Sequence, residues 1–209
     1  VARRVVVVLL GPVAWAPPGT DPATWQAALA EDVVDLVATL NHVAPAIAAT
    51  AADRSLADAV AWPGMPVYEL PPPTAGAAGR VVPTVGAAFA AAAADGYDQA
   101  AVVAADAPDV PGLILGKLLR PLTSRPVAVA PAEPDAARGL LGVAARLPAA
   151  EWLPDLDLDA DAALIRAAAP RPGDVAVTPG WRRLRGPADL ATLDPRVEGW
   201  DTTRALLGG

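Results

Sequence analysis

The chain has 209 residues, 54% of them hydrophobic and 19% charged, which excludes a disordered polypeptide and suits one globular domain with a sizeable buried core. A formal charge of −7 and a pI near 4.6 leave no basic surface to neutralise phosphates at scale, so nucleic acid and anionic membranes are excluded as partners. With no cysteine and a single histidine, disulfides, thiolate metal sites and cysteine or Ser-His-Asp catalysis are set aside, and any metal is expected to be hard and oxygen-ligated, Mg²⁺ or Mn²⁺.

In chain order, Arg4 to Leu10 is a run of β-branched and apolar residues closed by Gly11-Pro12, which reads as a first, central strand buried on both faces. The run from Val5 is too short for a signal core or a membrane span, and the chain is expected to be cytoplasmic. After a proline-rich loop, Asp21-Pro22 supplies an N-cap and a proline at the first helical position. Trp25, Leu29, Val33, Leu36, Val37 and Leu40 share one face of the helix that follows, with Gln26, Glu31, Asp32 and Asp35 elsewhere. His42 reads as a C-terminal cap of that helix. His42-Val43 to Ala49 reads as a second strand, with Pro45 at its start or near an edge. Asp53 to Val60 is a short helix and Met65 to Leu70 a third strand. The piece PPPTAGAAGRVVP is a loop that either arches over a site or crosses the surface. Pro83 to Asp95 is an alanine-rich helix stopped by Gly96.

The stretch AVVAADAPDVPGLILGKLLRPL, residues 101–122, is where a site is expected. An apolar strand ends in Asp106, turns, and enters a helix with Leu113, Leu115, Leu118 and Leu119 at helical spacing. In an open α/β sheet, ligands lie outside the carboxyl ends of the strands, so Asp106 stands either at the functional edge or as a cap of the turn that follows it. Pro126 to Ala130 and Leu140 to Leu147 add two strands, the second an antiparallel return because no helix precedes it. Alternation of strands and helices implies right-handed crossovers and a three-layer α/β/α fold, its central sheet mostly parallel with one antiparallel strand.

Beyond Trp152 the acids Asp155, Asp157, Asp159 and Asp161 alternate, reading as a solvated loop into a helix N-terminus; an EF-hand is excluded for want of its glycine and closing Glu. Arg182, Arg183 and Arg185 are the one basic cluster, read as a solvated face or as salt bridges to the acidic run. The last forty residues read as an extended piece from Gly173 to Val177 and two short helices. Of the six tryptophans, Trp15 and Trp152 are candidates to stack a base or sugar, and the rest are assigned mostly to the core.

The ordered segments VVVVLL, EDVVDLV, AAFAAAAADGYDQAAVVAADAPDVP, APAEPDAARGLLG, EW and GWRRLRGPADLATLD resemble the rSAM/selenodomain-associated glycosyltransferase-like family over almost the whole chain. That resemblance implies a single nucleotide-diphospho-sugar transferase (GT-A) domain over 1–209, with 150–209 a C-terminal extension packed on it. It also implies a nucleotide-sugar or similar small molecule as ligand, and Asp106, with Asp135, as holder of Mg²⁺ or Mn²⁺. The family's phosphate-gripping loop, KxPxPGxxKTRL, is replaced by GPVAWAPPGTDPATW, with no Lys or Arg between Arg4 and Arg54. The arginine of its LGER leader becomes Thr84, and two glycines after Asp135 become alanines. Arg80 and Arg138 are the candidate replacement cations. Two functions follow: a glycosyl- or nucleotidyltransferase-like protein with Trp15, Arg80, Thr84, Asp135, Arg138 and Trp152 at the substrate, or a catalytically silent GT-A scaffold that binds or interacts.

Overall fold

A computed structural model describes residues 2–72, 82–135 and 138–208. The strands are β1 (Arg4–Leu9), β2 (Ala44–Thr50), β3 (Val67–Leu70), β4 (Gln99–Ala104), β5 (Val127–Glu133), β6 (Leu140–Arg146), β7 (Val175–Val177) and β8 (Trp181–Arg182). The helices are α1 (Pro22–Thr39), α2 (Arg54–Val60), α3 (Val85–Ala94), α4 (Gly112–Leu119), α5 (Ala162–Ala168), α6 (Pro187–Leu190) and α7 (Asp201–Leu206). The sheet runs β3-β2-β1-β4-β6-β5-β7, with β8 beside the end of β5. Among the described residues only β6 is antiparallel, pairing so with both β4 and β5.

Val5 to Val8 are all fully buried, because β1 is covered on both faces. Val6 and Val8 face α1, α2 and α4, while Val5 and Val7 face α3 and α5, so the strand's period of two divides its valines between two cores. This is the three-layer α/β/α fold with a mostly parallel sheet. Among the described residues no helix is long and apolar enough to cross a membrane.

Local signals explain the boundaries. Asp21 Oδ2 accepts from the Thr24 N–H at 2.9 Å and starts α1, whose proline falls at the first turn. Gly96 takes φ 81° just past α3. Pro45 is the second residue of β2, ahead of Ile47 where pairing to β3 begins, so its missing N–H interrupts no bond to that neighbour.

Three expectations are corrected. His42 does not cap α1: the Leu40 N–H closes the helix on the Val37 carbonyl, and His42 is exposed in the following turn at φ 65°. Leu113 is 67% exposed, and its neighbour Ile114 turns inward with Leu115, Leu118 and Leu119. Asp32, placed on the polar face, is only 3% exposed. Its oxygens accept the N–H groups of Thr202 at 3.0 Å and Thr203 at 2.8 Å, tying the first turn of α7 to α1. The loop 71–83 lies largely outside the described residues, and Arg80 with it.

Candidate functional site

The chain leaves β1 toward β2 on one side, and β4 lies on the other, so the crevice above β1 and β4 is the switch point of the sheet. There a cleft is bounded by Leu9 to Val13, Gln26 and Ala30 of α1, Val82-Pro83, Ala104 to Asp106, Asp157 to Asp159, and Arg183. Its sides are largely aliphatic, and its charge comes from three Asp and one Arg.

Asp106 lies in the turn two residues past the end of β4, and its carboxylate is already engaged. Arg183 Nε donates to Oδ1 at 2.6 Å and Nη2 to Oδ2 at 2.9 Å, a two-pronged pair with side-chain exposures of 9% and 14%. The same guanidinium donates through Nη1 to the Leu158 carbonyl at 2.7 Å and to Asp159 at 3.3 Å. Burial works against the charge on Arg183, yet Asp106, and then Asp159, hold its pKa above the ordinary guanidinium value.

The segment that delivers Arg183 is tied at every residue. Trp181 and Arg182 pair as β8 with Ala132 and Glu133, and both donate to Asp109, which is 1% exposed. The Leu184 N–H donates to the Asp106 carbonyl at 2.7 Å, and its side chain is buried with Trp25 and Leu29. Arg185 reaches Asp159 at 2.7 Å. The reading of the basic cluster as salt bridges to the acidic run therefore describes Arg183 and Arg185 at Asp159. Its link to Asp106 is a feature that sequence reasoning missed. No local signal pointed to it, because Asp106 and Arg183 lie 77 positions apart.

The acidic run divides its work. Asp155 accepts the Gly86 N–H in the first turn of α3 at 3.1 Å. Asp157 accepts the Asp159 N–H at 2.8 Å, and Asp161 caps α5 by accepting the Ala163 N–H at 2.8 Å.

Of the other candidates, Arg138 lies at a second, open depression with Ala14, Asp159 and Arg185, adjoining the cleft through Asp159. Thr84 precedes α3 without a side-chain capping bond, one residue past the cleft-lining Pro83. The Asp135 carbonyl accepts the Arg138 N–H at 2.9 Å, and Asp135 is not among the cleft's lining residues. Trp15 meets Trp25 edge-on at 6.3 Å, beside Leu184 and outside the cleft lining. Trp152 packs on the apolar cluster under α3 and α5, also away from the cleft. Gln26, not singled out by the sequence, lines the cleft and donates to the Gly11 carbonyl at 2.9 Å and to Asp53 at 3.1 Å.

The residues at Asp106 do not fit a divalent ion. Mg²⁺ and Mn²⁺ are held by several oxygen ligands, whereas each oxygen of Asp106 already accepts from a buried guanidinium whose charge opposes a cation beside it. Among the described residues no group of three or more His, Asp or Glu is arranged to hold a metal.

No protein-family model matches the chain, and no curated protein sequence matches it. Solved structures do. A protein described as a candidate nucleotide-diphospho-sugar transferase from Desulfovibrio desulfuricans G20 is similar at TM-score 0.66 and 15% identity, over 100% of this chain and 96% of that one. A 4-diphosphocytidyl-2C-methyl-D-erythritol synthase from Anaerococcus prevotii DSM 20548 is similar at TM-score 0.60 and 10% identity, over 100% and 99%. A CMP:2-keto-3-deoxy-manno-octonic acid synthetase complexed with CTP is similar at TM-score 0.59 and 13% identity, over 99% of each chain. At such identities the likeness carries the fold alone, a GT-A-like three-layer α/β/α fold.

Proposed function

We propose that this protein binds a nucleotide-diphospho-sugar or a related activated phosphate in the cleft above β1 and β4, as a glycosyl- or nucleotidyltransferase-like protein. The observation that carries the reading is the cleft itself, open at the switch point of a GT-A-like sheet, with Asp106 and Arg183 on its wall. The order of segments supports a divergent relative of the rSAM/selenodomain-associated group, and the likeness to the Desulfovibrio protein supports the broader nucleotide-diphospho-sugar class.

Isothermal titration with UDP-, GDP- and CDP-sugars and with CTP, UTP and GTP, in Mg²⁺ and in EDTA, tests it. Micromolar binding of at least one is expected, weakened about tenfold or more by Ala105→Phe, which adds a ring at a cleft-lining position. Failure of all of them to bind in either buffer refutes the reading.

A second reading, a catalytically silent scaffold, is favoured by the neutralised Asp106 and by a first loop without cations. Binding without release of nucleoside mono- or diphosphate or pyrophosphate, across the donors that bind and a panel of acceptors, is its expected signature; turnover with any donor rejects it.

A further inference from the structure

We infer that Arg183 is a built-in cation occupying the place at Asp106 where a divalent ion would otherwise sit, so that anionic ligands enter the cleft without a protein-held metal. The inference starts from the misfit between donor set and metal. A carboxylate at the end of β4 offers two oxygens, and Arg183 fills both in a planar, two-pronged fit that a hydrated ion could take over only by evicting a guanidinium with little solvent to receive it.

Eviction is opposed at each neighbouring residue. The Leu184 N–H holds the Asp106 carbonyl, and its side chain is 1% exposed beside Trp25 and Leu29. Trp181 and Arg182 are bound to the buried Asp109. Arg183 itself donates to two backbone carbonyls, of Leu158 and Leu140. A swinging arginine would be held at one end; this one is held on both sides and along its length. Asp106 is therefore a positioning residue for a fixed positive charge that lines the cleft. The guanidinium offsets the Asp106 carboxylate beside an entering anion without the dehydration and open coordination positions that a metal ion requires.

The nucleotide arm of the test rests on the proposed ligand class; the metal arm does not. Mn²⁺ alone is titrated into the whole protein and followed by electron paramagnetic resonance. No saturable site is expected below the millimolar range, and a tighter site that disappears in Asp106→Asn overturns the inference. For any nucleotide or nucleotide-sugar that binds, affinity in EDTA is expected to equal that in Mg²⁺ within a factor of about two, and binding that demands Mg²⁺ overturns it. Arg183→Gln is expected to weaken that binding about tenfold or more, and Arg183→Lys less, because it retains the charge; undiminished affinity in a folded Arg183→Gln overturns the inference. Should Arg183→Gln fail to fold, the wild-type and Asp106→Asn arms still decide. If no nucleotide binds in either buffer, the proposed function fails while the Mn²⁺ arm still tests Arg183.

Discussion

The pair between Asp106 and Arg183 makes a quantitative demand on stability that a double-mutant cycle can meet or refuse. Arg183→Met removes the cation and leaves a carboxylate with only 14% of its side chain exposed. It also strips donors from the Leu158 and Leu140 carbonyls. Breaking one side of a buried ion pair costs about 3 to 5 kcal/mol. Asp106→Asn keeps the shape and one acceptor, so its cost falls below that, at about 2 to 3 kcal/mol. Because each change removes the same interaction, the double variant should cost little more than Arg183→Met, giving a coupling energy of about 2 to 3 kcal/mol. An exposed pair would give under about 1 kcal/mol. Urea unfolding at neutral pH, read by the fluorescence of the buried Trp25 and its neighbours, supplies all four stabilities. Additive single variants, with coupling below about 0.5 kcal/mol, would refute the claim that the two groups are locked together.

Three further outcomes test the surroundings. Leu184→Ala opens a cavity in the Trp25 and Leu29 cluster and should cost about 2 to 5 kcal/mol in urea unfolding, with nucleotide affinity falling alongside; a cost under about 1 kcal/mol would mean that the segment is not anchored there. A Cβ at Gly180 would stand 1.9 Å from the Pro131 carbonyl oxygen, so Gly180→Ala should displace β8 from β5 at a cost of about 1 to 3 kcal/mol by thermal unfolding, and an unchanged melting temperature would contradict the close approach. Asp32 has its pKa raised, first by burial, against the lowering effect of Thr203 and Thr202. A raised folded pKa means a stability contribution present below the unfolded value of 3.8 and lost as pH rises through the folded one. Stability relative to Asp32→Asn should therefore fall as pH rises above about 4, and urea midpoints that run parallel across that window would reject this assignment.

Much of the sheet was legible because its signals are local. Val5 to Val8 form an uninterrupted β-branched run that can only be buried on both faces, and the absence of a helix between β5 and β6 makes β6 an antiparallel return. Asp106 was legible as a residue at a strand end, since apolar run, acid and turn are contiguous. Its partner was not: Arg183 is 77 positions away, on a chain segment whose two-residue strand is below the length at which alternation is readable. Asp32 was misplaced for the same reason, because the N–H groups that receive it belong to Thr202 and Thr203 at the other end of the chain. Trp15 looked available in its loop, but a tryptophan next in space to Trp25 and Leu184 gains more by joining that cluster than by waiting at a cleft.

The acidic run and the arginine segment are best understood as one device. Four aspartates at alternate positions would repel one another as a bare loop, yet here each has its own partner or role. Asp155 and Asp161 spend their charge on the first turns of α3 and α5, where unpaired N–H groups favour it. Asp157 folds onto the Asp159 N–H, which leaves Asp159 to receive Arg183 and Arg185 together. Arg183 then joins Asp159 to Asp106, so two segments from the last third of the chain set the charge on the wall of a cleft built by β1 and β4. The first loop carries no lysine or arginine, so the fixed guanidinium at Asp106 is the cation that the cleft lining supplies. A ligand bound there would be recognised by a preset charge, with no reorganisation of the protein to repay on release.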